Sequence, residues 1–260
     1  MRGVWKRNYG QVTRAPPDER GGNRQTAPNV TAPHLYSTIA KPPMRAYHFL
    51  PEKWGIAAIR HRRLKVATIN ELNDPFEFLA AQQVSIEDKH VYEQLKSDLA
   101  ATIGLVCFSR GWSNPVQWGQ YAEKHSGLCL GFDILDEWAK PITYVSKRLN
   151  FDPEPIPAPS ADGTEGYKLL TTKFRHWRYE DEVRLVLRLQ HVTSHGKLYF
   201  MQFCPALILR EVVVGARSAL TEDQLRKKLR TADQEVTITQ ARLSTRTFKV
   251  LARRGSASDA

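Results

Sequence analysis

The sequence predicts an α+β domain, in which short helices pack on a mixed or antiparallel central sheet. Strand-like apolar runs outnumber helical ones, the helices are short, and 42% apolar residues suffice for a sizeable core. We predict strands at residues 44–50, 64–68, 104–109, 127–133, 142–148, 182–189, 197–203, 209–215, 235–243 and 247–253. We predict helices at residues 52–62, 85–103, 113–125, 167–174 and 221–230. Together these elements predict a single folded domain over residues 44–253.

Several of the predicted helices begin at capping residues. Ser85 precedes the second helix, Ser113 or Asn114 precedes the third, and Thr221 precedes the last. Hydroxyl and amide side chains accept hydrogen bonds from the first free N–H groups of a helix, which is why they favour this position. Pro115 adds a second start signal, since proline is tolerated in the first turn.

Three segments lack the periodicity of packed structure. Residues 1–43 are rich in Pro, Gly, Asn and charge, which predicts a disordered arm, and residues 254–260 predict a disordered tail. The proline-rich stretch at 150–166 predicts a surface loop, because strand and helix patterns continue on both sides.

The net charge of +11 is concentrated near the N-terminus. Residues 1–46 hold eight Lys and Arg against two Asp and Glu, so six of the eleven positive charges lie there. Such an arm is either a solvated extension or a segment that binds nucleic acid.

The cysteines and the hydropathy predict a cytoplasmic protein without a membrane partner. Cys107, Cys129 and Cys204 are odd in number and far apart, as expected for buried thiols in a reducing compartment. The longest apolar stretch, at 198–209, is too short to cross a bilayer, and the N-terminus lacks a secretory signal pattern. No Cys or His spacing is typical of a metal site, so we predict none.

The stretch HWRYEDEVRLVL, residues 176–187, contains the strongest candidate for chemistry. Alternate residues of a strand share a face, so Glu180 and Glu182 would lie about 7 Å apart. Like charges that close raise each other's pKa. The pair is either a catalytic or binding site, or a strand end at which Arg184 neutralises a glutamate.

Other polar residues occur within strands, helices and turns that otherwise show no sign of function. The opening strand holds Tyr47 and His48, and a strand histidine is more often structural than catalytic. Trp118, Tyr121 and His125 share a helix face, which is more often core than a ligand platform. The remaining candidates are Asn73, Asp74 and Glu77 in a predicted Asx turn, and Lys173 and Trp177 before the acidic pair.

Four motifs in order resemble the DUF2971 domain family of bacteria and phages. They are the YHF strand, NDPFE, the run from CFS to GFD, and the segment from TK through the acidic pair, within about residues 44–215. The family name supplies no activity. A defence or toxin role in a bacterium or phage is what this resemblance implies.

A weaker resemblance is to ADP-ribosyltransferases, and it implies their fold and the use of NAD as cofactor. In that pattern His48 would bind the nucleotide ribose, and Tyr121, with Phe108, would stack on nicotinamide. Ser109 would support the first strand pair or the acidic residue. Glu182 would bind the ribose hydroxyl and stabilise the developing positive charge, and Glu180 would orient the acceptor. The acceptor could be a nucleic acid, a protein or a small molecule.

Further roles within this resemblance are those of cofactor and substrate contacts. Tyr47, Trp118 and His125 would complete the cofactor site. Substrate contacts would come from Asn73, Asp74, Glu77, Lys173, Trp177 and Arg184.

Two other classes remain open. Asp74, Glu77, Glu180 and Glu182 with Lys173 could form the acidic site of a metal-dependent nuclease or phosphodiesterase. Alternatively, the aromatic and histidine face with the basic arm could form a non-catalytic nucleic-acid-binding module. The transferase interpretation requires Glu180, Glu182, His48 and Tyr121 to share one cleft.

Overall fold

The structure, a computed structural model, describes residues 42–74, 76–77, 81–82, 86–150, 165–229 and 235–253. The described residues belong to one compact unit. The predicted arm, apart from residues 42 and 43, the tail at 254–260 and most of the loop at 150–166 lie outside them.

The described part of the chain forms many short elements. The strands are β1 (Met44–Leu50), β2 (Arg63–Thr68), β3 (Ala81–Gln82), β4 (Ile103–Ser109), β5 (Leu128–Ile134), β6 (Lys140–Pro141), β7 (Thr143–Val145), β8 (Leu149–Asn150), β9 (Thr172–Phe174), β10 (Glu182–Arg188), β11 (Thr193–His195), β12 (Leu198–Gln202), β13 (Leu207–Val214), β14 (Thr237–Leu243) and β15 (Val250–Ala252). The helices are α1 (Glu52–His61), α2 (Ile86–Thr102), α3 (Pro115–Tyr121), α4 (Glu165–Leu170) and α5 (Glu222–Arg226). Short 3₁₀ segments occur at Ile69–Glu71, Glu123–His125, Arg175–Glu180 and Leu189–His191. None of these described helices combines the length and apolar character needed to cross a membrane.

One large mixed sheet organises the fold, which confirms the predicted α+β class. Its strands run in the order β11-β12-β2-β4-β1-β5-β13-β14-β15, and β10 pairs with β4 and with β6. The pairs within it are antiparallel except β13 with β14, which run parallel. Two small parallel pairs, β3 with β8 and β7 with β9, lie outside the large sheet.

Local signals place two helix starts correctly. Asn114 caps α3 by accepting a hydrogen bond from the Val116 N–H at 2.9 Å, with Pro115 as the first helical residue. Thr221 caps α5 and forms a reciprocal capping box with Gln224. The predicted cap Ser85 lies outside the described residues.

The predicted helix at 167–174 is half wrong. The helix ends at Leu170, and residues 172–174 form β9, which pairs in parallel with β7. Two β-branched threonines, Thr171 and Thr172, follow the helix, and such residues favour extended backbone. Lys173 therefore lies on a strand that packs beside β10 rather than on a helix.

Strand register assigns side chains to the two faces of the sheet. Ser109 of β4 pairs with Tyr47 of β1 and with Glu182 of β10, and antiparallel partners point to the same face. His48 follows Tyr47, and Phe108 precedes Ser109, so both point to the opposite face. There the Phe108 ring contacts the His48 ring at 5.5 Å and the Phe132 ring at 5.9 Å, within the core.

Candidate active site

Three carboxylates converge on one buried lysine. The Lys173 Nζ lies 3.0 Å from an oxygen of Glu77, 2.7 Å from one of Glu180 and 3.2 Å from one of Glu182. The four side chains are between 3% and 6% exposed. Because buried charges are costly unless paired, this convergence needs several compensating contacts.

Arg184 supplies the second cation of the cluster. Its Nε donates to Glu182 at 2.6 Å, its Nη2 lies 2.7 Å from Glu77, and its Nη1 donates to the Leu170 carbonyl at 2.9 Å. Glu182 and Arg184 thus form the neutralising pair that the sequence left open as one alternative. We call the five charged residues the carboxylate centre: Glu77, Lys173, Glu180, Glu182 and Arg184. It carries three negative and two positive side chains, which leaves one net negative charge.

A local reversal of the backbone brings the two strand-end glutamates together. Glu180 ends a 3₁₀ segment and Glu182 begins β10, so the expectation that both residues lie on one face of a strand is wrong. Asp181 between them adopts the left-handed conformation, with φ 43°. Arg110 holds Asp181 in place, since its N–H donates to the Asp181 carbonyl and its Nη1 donates to the carboxylate, both at 3.0 Å. Aspartate tolerates this backbone region better than most residues.

Glu77 reaches the centre from the loop after β2. The Asp74 carboxylate accepts a hydrogen bond from the Phe76 N–H at 2.9 Å, and the Glu77 N–H donates to the Asp74 carbonyl at 3.0 Å. This is the predicted Asx turn. Asp74 is itself buried, so its role is to shape the turn that points Glu77 at Lys173 and Arg184.

A hydrogen-bond chain connects the carboxylate centre with the surface. The Tyr121 hydroxyl donates to Glu180, and the exposed Asn73 side chain donates to that hydroxyl. The Trp177 ring, which is half-buried, lies 4.7 Å from the Lys173 Nζ as a cation–π partner. Asn73, Tyr121 and Trp177 are therefore the more exposed side chains beside the buried centre.

The two glutamates of the pair differ in their pKa. Burial alone would raise the pKa of Glu182, but Arg184 and Lys173 outweigh it and lower that pKa from 4.5 to about 2. Burial raises the pKa of Glu180 above its ordinary value, and Lys173 only partly offsets this because Glu182 repels the second charge. Divergent pKa values in neighbouring carboxyls are typical of acid–base sites and also occur in structural ion networks.

The proton donors around the pair stay protonated. Glu182, Glu77 and Glu180 together outweigh burial and raise the pKa of Lys173 above its ordinary value. Burial, reinforced by Glu180, raises the pKa of Tyr121. Both groups therefore remain donors at neutral pH, and Glu180 receives a hydrogen bond from each.

Two supporting residues were missed by the sequence analysis. The Tyr144 hydroxyl accepts a hydrogen bond from the Glu182 N–H at 2.9 Å, and the buried Gln117 side chain donates to the Glu180 carbonyl at 2.9 Å. Ser109 donates to the Gly111 carbonyl at 2.8 Å and lies 3.4 Å from the Gln117 side chain, so its side chain reaches the acidic segment through Gln117. Gln117 lies within the predicted helix at 113–125, but nothing in the local sequence singles out either Gln117 or Tyr144.

The cleft shared by His48 with the glutamates and Tyr121 is not found. His48 points to the opposite face of the sheet from Glu182, where it bonds the Cys107 carbonyl at 2.7 Å. Burial lowers the pKa of His48, which keeps it neutral. Phe108 shares that face, is 3% exposed and belongs to the core, so it is not placed to stack on a ligand beside Tyr121. The one-residue alternation of strand side chains is the physical reason.

Trp118 and His125 also lie away from the carboxylate centre. Trp118 is fully buried, donates to the Trp112 carbonyl at 2.6 Å and packs edge-on against Phe49. His125 stacks on Trp118, with 6.3 Å between ring centroids. Only Tyr121 of the predicted aromatic face turns toward the carboxylates, because α3 ends there and the chain changes direction at Glu123–His125. Tyr47 shares the sheet face of Glu182, but lies against Gly131, toward β5.

The carboxylate oxygens of the centre are directed at protein cations. Among the residues that the structure describes, no group of three or more His, Cys, Asp and Glu side chains is arranged to hold a metal ion. Lys173 occupies the point at which the three glutamates meet. The arrangement can stabilise positive charge that develops beside Glu180, while Tyr121 and Lys173 hold that carboxylate in place by hydrogen bonds.

Comparison with protein-family models, with curated proteins and with solved structures finds no match to this chain.

Proposed function

We propose that the carboxylate centre is the catalytic site of an ADP-ribosyltransferase-like enzyme that cleaves NAD between ribose and nicotinamide. The observation that carries the proposal is a buried cluster with one net negative charge, joined to the surface through Tyr121 and Asn73. Positive charge builds on the ribose carbon as nicotinamide leaves. Fixed negative charge in a site that excludes water stabilises such a transition state without reorganisation.

The two glutamates have different roles in this proposal. Both oxygens of Glu182 are engaged by Arg184 and Lys173, so Glu182 fixes the two cations. Glu180 has Tyr121 on one oxygen and Lys173 on the other, and it is the carboxylate nearer the surface chain. We therefore assign Glu180 to face the reacting ribose, which reverses the roles that the family resemblance implies.

Aromatic side chains beside the centre suit the nicotinamide group. Tyr121 and Trp177 are half-buried next to Glu180 and Lys173, and both offer a ring face or edge to a planar ligand. As part of the same proposal, the chain has an ADP-ribosyltransferase-like core and belongs to the DUF2971 domain family. The order of its sequence motifs supports both statements. His48 has no part in the reaction.

Nicotinamide release from NAD by the full chain tests the proposal. The assay compares the wild type with Glu180→Gln and Tyr121→Phe, with and without DNA, RNA and cell extract as acceptor sources. We expect Glu180→Gln to lower the rate by at least about 100-fold and Tyr121→Phe by about tenfold, since each removes transition-state electrostatics. Glu222→Gln is the matched control, because Glu222 is an exposed carboxylate paired only with Arg226 among the described residues.

Folding of each variant is checked by thermal unfolding before the rates are compared. A folded Glu180→Gln protein with wild-type turnover would refute the assignment of Glu180. Absence of nicotinamide release by the wild type with every acceptor source would refute the NAD chemistry itself.

A metal-dependent nuclease is the weaker proposal, favoured only by the meeting of three carboxylates at one point. It requires Mg²⁺ or Mn²⁺ to displace the Lys173 ammonium, which is held at 3.2 Å or less by each glutamate. Calorimetric titration of the wild type with both metals tests it, and the absence of heat would remove it.

A further inference from the structure

The hairpin at the end of the chain carries a strongly basic surface. Strands β14 and β15 and their connection span residues 237–253, in which four cations occur and no Asp or Glu: Arg242, Arg246, Lys249 and Arg253. None of the four takes part in the ion pairs found among the described residues. Four unneutralised cations on one hairpin attract a polyanion.

The tip of the same hairpin presents an aromatic ring to solvent. Phe248 is 98% exposed, the highest value among the large apolar side chains that the structure describes. The turn is fixed, because the Ser244 hydroxyl accepts hydrogen bonds from the Arg246 N–H at 3.2 Å and the Thr247 N–H at 3.1 Å. Phe248 is therefore held outward between Arg246 and Lys249, where it contributes nothing to the core.

A polar groove adjoins the hairpin. It measures about 660 Å³ and is lined by Arg242 and Arg253, by the polar residues Ser218, Thr221 and Gln240, and by the apolar residues Ala216, Leu220, Ala241 and Leu243. Hydroxyl and amide groups beside arginines suit phosphate and base edges, and the volume is within the range of ligand-sized clefts.

We propose that this hairpin and groove form a binding surface for single-stranded nucleic acid. Arginine and lysine contact the phosphates, and Phe248 stacks on a base, a combination typical of proteins that bind single strands. A duplex hides its base faces and gives Phe248 no stacking partner. An anionic membrane is less well suited, since only Phe248 and Leu243 among the described large apolar side chains of the hairpin are strongly exposed, which is too small an apolar surface to enter a bilayer.

This surface is independent of the carboxylate centre. The centre lies at β9 and β10 beside β4, whereas β1, β5 and β13 separate β4 from β14 and β15 in the sheet. The proposal rests on exposed cations and an exposed ring, and its failure or success leaves the NAD chemistry unaffected.

Fluorescence anisotropy of labelled oligonucleotides with the full chain tests this proposal. Single-stranded DNA and RNA of about twelve nucleotides, a length suited to one such surface, are titrated in parallel over a range of salt concentrations. The basic N-terminal arm is present in every variant, so differences between variants report on the hairpin alone.

The Phe248→Ala variant removes only the stacking ring. We expect it to weaken binding about tenfold, the typical effect of losing one base–aromatic stack. The control Trp138→Ala removes a ring that is 39% exposed elsewhere on the molecule, and it should change the affinity by less than about twofold.

A paired charge reversal tests the cations. Arg246→Glu with Lys249→Glu should lower the affinity and reduce the steepness of its salt dependence by about 1.4 in the logarithmic slope, for two lost phosphate contacts. Arg60→Glu with Lys89→Glu alters two exposed cations elsewhere and changes the net charge equally, so it should leave the slope near that of the wild type.

Three results would overturn the proposal. The first is wild-type affinity in Phe248→Ala. The second is an equal loss of affinity in both charge-reversal proteins, because binding would then follow net charge alone. The third is binding to anionic vesicles that requires Phe248 while oligonucleotide binding does not. Preference between DNA and RNA identifies which single strand the surface takes.

Discussion

Replacing Lys173 by methionine should destabilise the protein severely at neutral pH. Methionine keeps most of the apolar stem, so the change removes chiefly the ammonium group that contacts three carboxylates at 2.7 to 3.2 Å. Arg184 then faces Glu77, Glu180 and Glu182 alone. The removal of one partner from a buried ion pair costs about 3 to 5 kcal/mol, because the remaining charge stays buried and unpaired.

The loss should shrink as the solution is acidified. Without Lys173 the carboxyls take up protons more readily in the folded state than in the unfolded chain, so acid stabilises the variant relative to the wild type. Glu180 already has a raised pKa with Lys173 present, and it should be the first to protonate. We therefore expect the difference from the wild type to fall between pH 7 and pH 5.

Urea denaturation of the wild type and of Lys173→Met, near pH 7 and near pH 5, measures this difference in the free energy of unfolding. Lys65→Met is the matched control, since the Lys65 Nζ contacts the Glu71 carboxylate at 2.6 Å in a more exposed setting. That change should cost about 1 kcal/mol or less. If Lys173→Met costs no more than Lys65→Met, or if its cost does not change with pH, the account of the carboxylate centre as a buried charge network is wrong.

Three further predictions concern pH and packing. The lowered pKa of Glu182 implies about 3 kcal/mol of stability that is present above pH 4.5 and is lost as the pH falls toward about 2. A pH series of urea unfolding should show this loss in the wild type. The same loss in Glu182→Gln would contradict the assignment to Glu182. Burial lowers the pKa of His48, so as the pH falls the imidazole takes up a proton in the unfolded chain before it does so in the folded protein. The free energy of unfolding should therefore decrease below about pH 6.5. His48→Gln should flatten this part of the dependence of stability on pH, and it should leave the rate of nicotinamide release by the folded protein unchanged. Gly127→Ala would bring a methyl group to 2.2 Å from the Leu50 carbonyl oxygen and should destabilise the protein by more than about 1 kcal/mol. Gly119→Ala places its methyl group in open space within α3 and should stabilise the protein by about 0.5 to 1 kcal/mol. Thermal unfolding of both variants should show a lower melting temperature for the first and a higher one for the second.

The order of elements could be predicted from the sequence because it depends on short-range physics. Met44–Leu50 and Glu182–Arg188 are apolar runs of strand length, and their bounds fall within a residue or two of those predicted. The caps Asn114 and Thr221 follow from side-chain hydrogen bonds to N–H groups two or three residues away. One failure that bears on the site occurs at Lys173, where pairing with β7 outweighs the helical pattern of the preceding residues.

The partners of the acidic pair were determined by contacts between distant segments. The sequence placed Glu180, Glu182 and Arg184 together, since they are neighbours along the chain. Local sequence could not place Glu77 and Tyr121 beside them, because those residues are 103 and 59 positions away from Glu180. Glu77 and Tyr121 entered only through the nuclease alternative and the transferase resemblance, and they approach the pair only when the chain folds. The separation of His48 from the pair likewise depends on register, since moving a strand by one residue exchanges its two faces.

The sequence by itself thus determined the class of fold and the chain-local part of the charge pattern, as both arise from periodicity and from neighbouring side chains. The tertiary structure decided that a lysine lies where three glutamates meet, that Glu180 and Glu182 have opposite pKa shifts, and that His48 lies on the opposite face of the sheet from the pair. Charge energies depend on burial and on distances of a few ångströms, and these are fixed only by packing.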